Sequence, residues 1–108
     1  MTLIFSVLIF LWLLLPSSGR GETNLAVQAR TILRKRCYAC HGANGQAERG
    51  INVLDRAGLI ETGVLEPGDK ESMLLRVMET GRMPLKGPRV PAREVEIIRR
   101  WVMSGAHE

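Results

Sequence analysis

From Leu3 to Leu15 the chain is almost wholly apolar, LIFSVLIFLWLLL, and beyond it apolar residues recur at spacings of three and four. The first run is too short for a bilayer-crossing helix, which needs roughly 20 residues. It matches the apolar core of a secretory signal, with Ser17 and Gly19, or Gly19 and Gly21, as the small residues of a cleavage site. The expected division is a signal peptide over 1–21 and one domain over 22–108. No Lys or Arg precedes the run, so a retained anchor facing the periplasm, with membrane contact, is the alternative.

Three helical patterns follow. Asn24 is placed to cap a first helix whose face carries Leu25, Ala29, Ile32 and Leu33. Arg34, Lys35 and Arg36 suit its C-terminus. Asp69, after Pro67 and Gly68, is placed to cap a second helix over 70–80 with Met73, Leu74, Val77 and Met78 inward and Gly81 as its stop. A third spans 92–104 on Val95, Ile98, Trp101 and Val102, with Glu94 and Glu96 early, Arg99 and Arg100 late, and Gly105 ending it. A short helix is expected near 56–60, and the proline-bearing stretch 82–91 reads as loop. No segment alternates as a strand would. The predicted class is all-α, with three main helices.

Without its leader the domain is small enough that an apolar core alone is marginal. The formal charge is +4, which suits an acidic partner or an anionic cofactor. No basic stripe interleaved with aromatics supports nucleic-acid binding.

The candidate chemistry is concentrated in Cys37-Tyr38-Ala39-Cys40-His41. C-x-x-C-H reads as a c-type haem attachment site. Residues three apart on a helical turn are neighbours, so two thiols can reach two vinyl groups on one haem edge. His41 then stands beside the second anchor, placed to coordinate iron. Rival readings fit less well. A structural zinc site wants four ligands, and only His107 remains to help. A redox dithiol wants a βαβ setting. A plain disulfide leaves His41 unexplained.

The sixth iron ligand is sought among Met73, Met78, Met83, Met103 and His107. Met73, Met78 and Met103 lie on helices, where methionine is usually core filling. Met83 lies in a loop directly before Pro84 and is the preferred distal ligand. Arg49 and Arg82 are either propionate partners or solvated surface. The glycines Gly42 and Gly45 are expected to let backbone pass close to the ring. Trp101 is expected to pack where the last helix meets the first.

The segments CYACHG (37–42), VLDRAGLI (53–60), PGDKESMLLRVMETGRMP (67–84) and EVEIIRRWVMSGA (94–106) resemble class I cytochrome c. More narrowly, they are similar to the planctomycete-type cytochrome c domain. That resemblance implies one covalent haem c held by Cys37 and Cys40, His41 as proximal ligand and Met83 as distal ligand. It also implies a small cytochrome c fold, the first helix crossed against the last, and electron transfer outside the cytoplasm. Leu85 departs from the pattern, since a second proline often follows Met-Pro in that family.

A haem closed by histidine and methionine offers no open position to substrate. The expected function is therefore single-electron carriage by a monomer, without enzymatic activity, between redox proteins with acidic docking surfaces. The expected location is periplasmic or otherwise exported. The competing expectation is a haem protein that binds a small gas or peroxide after losing the methionine ligand.

Overall fold

The computed structural model describes residues 19–42 and 50–108. The predicted signal peptide therefore falls largely outside the described residues, as do Gly45 and Arg49. Among the described residues there are four helices and no strand: α1 Gly19–Arg36, α2 Arg56–Glu61, α3 Met73–Glu79 and α4 Ala92–Met103. None is long and apolar enough to cross a membrane. The all-α class holds. The fourth helix beside the three main ones is the short one expected near 56–60, which spans Arg56–Glu61.

α1 buries Ala26, Ala29, Ile32 and Leu33 at helical spacing. It begins at Gly19, not at an Asn24 cap. The chain before Asn24 is itself helical, so the backbone there has carbonyl partners one turn back and needs no capping side chain.

α2 is capped by Asp55, whose carboxylate accepts from the Gly58 N–H at 3.1 Å. Its single fully buried side chain is Leu59, and Gly63 carries the positive φ of 77° that turns the chain out of the helix.

α3 is shorter than the 70–80 expected. Asp69 forms a turn of its own, its carboxylate accepting from the Glu71 N–H at 2.8 Å and its carbonyl from the Ser72 N–H at 3.1 Å. The helix starts only after Ser72, which is fully buried. The Ser72 hydroxyl turns inward, accepting from the Glu66 N–H and donating to the Val64 carbonyl. The inward face also differs. Leu74, Leu75 and Met78 are buried, Val77 is half-buried, and Met73 is 55 % exposed. Starting the helix at Met73 turns that residue to solvent and brings Leu75 into the core.

α4 follows the sequence closely. Val95, Ile98, Trp101 and Val102 are its buried residues. It packs on both α1 and α3 and so joins the two ends of the described chain. Trp101 shares a small cavity with Leu33 of α1 and donates its indole N–H to the His107 carbonyl at 2.8 Å. The Arg56 guanidinium bonds the Gly105 and Ala106 carbonyls, which straps the C-terminal turn to α2.

The fully buried large side chains Leu33, Leu65, Leu75, Ile98 and Val102 carry the core. Truncating Leu75 to alanine removes buried methyl groups from the core. The expected loss is about 2–5 kcal/mol, read as a lower urea midpoint with an unchanged slope.

Candidate functional site

α1 delivers the chain directly into the Cys37–His41 turn. The N–H groups of Cys37 and Tyr38 both donate to the Leu33 carbonyl, at 2.9 and 3.1 Å. The Cys37 carbonyl then accepts from the Cys40 N–H at 3.3 Å and from the His41 N–H at 2.9 Å. One turn thus holds all three predicted residues. The Val53 N–H donates to the His41 carbonyl at 2.8 Å, so the His41 backbone is fixed on both sides. The His41 residue itself is half-buried.

Gly42 has a packing reason for being glycine. A Cβ there would meet the Tyr38 carbonyl oxygen at 2.7 Å and its ring at 3.1 Å, closer than real Cβ contacts tolerate. The close approach at this position is to Tyr38, two residues inside the motif.

The turn is anchored from outside by a contact that sequence reasoning missed. Arg36 grips Glu94 with two bonds, Nε to Oε1 at 3.1 Å and Nη2 to Oε2 at 2.7 Å. Lys35 approaches the same carboxylate at 3.9 Å. Both residues look from sequence like ordinary complements to helix dipoles. Only the crossing of α1 over α4 makes them partners, and no local signal reveals it. The hydrogen bonds from Arg36 hold the Glu94 carboxyl below its ordinary value of 4.5, against the opposing effect of burial.

A depressed carboxyl pKa contributes stability that is complete above its unfolded value and lost as pH falls through the folded one. Above about pH 5, Glu94→Gln is therefore expected to melt at a lower temperature than the parent chain. The two melting curves should converge as pH falls through the lowered folded value, below which Glu94 is protonated in both states. Parallel curves across that range would assign the interaction no weight.

Cys37 and Cys40 are free thiols, the first half-buried and the second exposed. Burial pushes the Cys37 thiol up to about 11, with Arg36 opposing and Cys40 adding to the rise. A redox-active dithiol needs the opposite, an attacking cysteine with a lowered pKa. Among the described residues, no group of three His, Cys, Asp or Glu side chains is arranged to hold a metal ion. The first fact counts against the dithiol reading of the motif.

Met83 lies on the segment between α3 and α4. It is half-buried, and its N–H donates to the Val77 carbonyl at 3.0 Å, which folds the chain back on α3. The other candidates separate clearly. Met78 is buried in the core, whereas Met73 and Met103 are exposed, as is His107. Arg82 is exposed to solvent. A groove at the α3–α4 crossing is floored by Met78, Val90 and Val95 and rimmed by Glu79, Arg89 and Arg99. None of Cys37, Cys40, His41 or Met83 lines it, so it is a separate feature.

The donor set fits a covalent haem: two unjoined thiols and an imidazole on one turn, and a half-buried thioether on a separate loop. Half-buried apolar side chains, among them Ile51, Leu54, Ile60, Val64 and Ile97, pack at the margin of the core. In comparisons with protein-family models, characterised proteins and solved structures, nothing matches this chain.

Proposed function

We propose that this chain is a monohaem c-type cytochrome of the class I kind, carrying single electrons between redox proteins outside the cytoplasm. The observation that carries the reading is the Cys37-x-x-Cys40-His41 string held within one turn, with both thiols free. The similarity to the planctomycete-type cytochrome c domain points the same way.

Under this reading Cys37 and Cys40 would hold the haem through two thioethers, each formed by addition of S–H across a vinyl C=C so that no atom leaves, and His41 and Met83 would supply an imidazole nitrogen and a thioether sulfur as iron ligands. The bound haem supplies a reversible one-electron change at iron, and the sulfur ligand favours the reduced state. The chain's own part is to hold both ligands still. Val53 and Cys37 fix the His41 backbone, Val77 fixes the Met83 N–H, and the Arg36–Glu94 pair fixes the turn on α4. Ligands that do not move keep the reorganisation on electron transfer small.

The net positive charge favours an encounter with an acidic donor or acceptor, weakened by salt. The signal-like run at Leu3 to Leu15 supports export. The gas- or peroxide-binding alternative requires Met83 to leave the iron.

The deciding experiment is the absorption spectrum, in alkaline pyridine with reductant, of protein exported from cells that attach haem. The reading expects one covalent haem c per chain. Soluble exported protein with no haem would sink it, and Cys37 and Cys40 would return to being a dithiol or metal pair.

A further inference from the structure

Met83 lies in a loop that leaves α3 at Thr80 and rejoins the core at Val90, which is buried. Pro91 follows directly and opens α4. Arg89 therefore stands at a fixed point at the far end of the loop, and its side chain turns back to the near end. Its guanidinium donates through Nη2 to the Glu79 carbonyl at 3.0 Å. Glu79 is the last residue of α3.

That carbonyl is one of those a helix leaves without a partner at its C-terminus. Helical geometry would pair it with the Met83 N–H. That group donates to the Val77 carbonyl instead, at 3.0 Å. Arg89 supplies the missing donor, and its charge also meets the negative end of the helix dipole. Gly81 shows how closely the side chain fits. Its φ of 73° already favours glycine. A Cβ there would also meet Arg89 Nε at 2.5 Å and the guanidinium carbon at 2.7 Å. The guanidinium thus rests against the backbone just before Met83. Lys86, on the same loop, is exposed and forms no ion pair among the described residues.

We propose that Arg89 is a positioning residue for Met83. Its bond to Glu79 and its contact with Gly81 close the base of the loop and set how often the methionine leaves the iron. The inference rests on the cytochrome reading with Met83 as distal ligand. It names the side chain that separates a closed electron carrier from the gas-binding alternative, which begins only when Met83 departs.

The test uses the haem-loaded chain and Arg89→Met, which keeps an unbranched apolar stem and loses every donor. In the reduced protein, carbon monoxide binds only after the sulfur has left, so its rate at saturating gas reports loop opening. In the oxidised protein, the weak far-red band of a methionine–iron bond is followed through a urea titration, beside the far-ultraviolet signal of the helices. Arg89→Met is expected to raise the carbon monoxide rate about tenfold, as befits the loss of one hydrogen bond from a charged donor. Its far-red band should vanish at a urea concentration that leaves the helices intact. Arg89→Lys keeps a donor on a more flexible stem and should recover part of the parent's behaviour. Lys86→Met removes a loop charge and should stay within about twofold of the parent.

Equal acceleration by Arg89→Met and Lys86→Met would make the effect one of charge alone and would overturn the proposal. Loss of the far-red band only together with the helices would make Arg89 a contributor to global stability, and would overturn it too. So would an unaltered carbon monoxide rate. The parent chain separates these failures from that of the underlying reading. A parent with no covalent haem overturns the cytochrome reading, a parent with haem and no far-red band removes Met83 from the iron, and this inference falls with either.

Discussion

On the cytochrome reading, replacing Cys37 and Cys40 together by alanine is expected to leave no haem attached to the chain after denaturation and acid–acetone extraction. This is the largest effect expected of any substitution, because those residues are the only cysteines. Histidine and methionine ligation alone is reversible and does not survive unfolding. The single variants divide the effect. Cys37→Ala or Cys40→Ala keeps one thioether, and the unreacted vinyl group stays conjugated with the macrocycle, which moves the reduced α band to longer wavelength. The two thiols also differ in setting, Cys37 half-buried with its pKa near 11 and Cys40 exposed. The Cys37 variant therefore disturbs packing at the end of α1 as well, and should be the less stable of the two. Full haem retention by the double variant after extraction would exclude covalent attachment.

Met83→Ala is expected to lower the reduction potential by on the order of 0.2 V, within the range of about 0.8 V that axial ligands command. A thioether stabilises ferrous iron, and water or an open position in its place does not. The same variant should bind carbon monoxide readily when reduced, whereas the parent chain resists it. The control is Met78→Leu. Met78 is buried on α3 and acts as core, and the swap nearly conserves volume, so it should cost little stability and leave the potential in place. Met83→Ala with an unchanged potential and no carbon monoxide binding would remove Met83 from the iron.

Much of this architecture is legible in the chain because local rules and tertiary packing agree there. α4 is the clearest case: Val95, Ile98, Trp101 and Val102 recur at helical spacing, and the same four are its buried residues. The Cys37–His41 string stands out for a similar reason, since three chemically distinctive residues lie within one turn. The misreadings arise where a polar side chain has two uses. Asp69 looks like a helix cap and closes a separate turn, while Ser72, next to the true start, spends its hydroxyl on the core. Asn24 looks like a cap only if the residues before it are not helical. Met73 fits the apolar stripe of a longer helix and is exposed on the shorter one. The Arg36–Glu94 pair spans 58 residues, beyond the reach of any local pattern. Tyr38 against Gly42 depends on ring placement, which a sequence does not display.

That pairing of α1 with α4 also sets an order of events. The contact closes a loop of more than half the chain, and such closure costs entropy before it returns any contact energy. α1, with the thiols just beyond it, leaves the ribosome well before α4 exists to receive it. Until the last helix arrives, the Cys37–His41 turn has no Glu94 to brace it and Cys37 has not reached its half-buried setting. On the cytochrome reading, the thiols would therefore be most open to an attachment enzyme before α4 docks. Docking of α4 is then the step that ends this window, which would make haem attachment sensitive to how quickly the C-terminal helix folds.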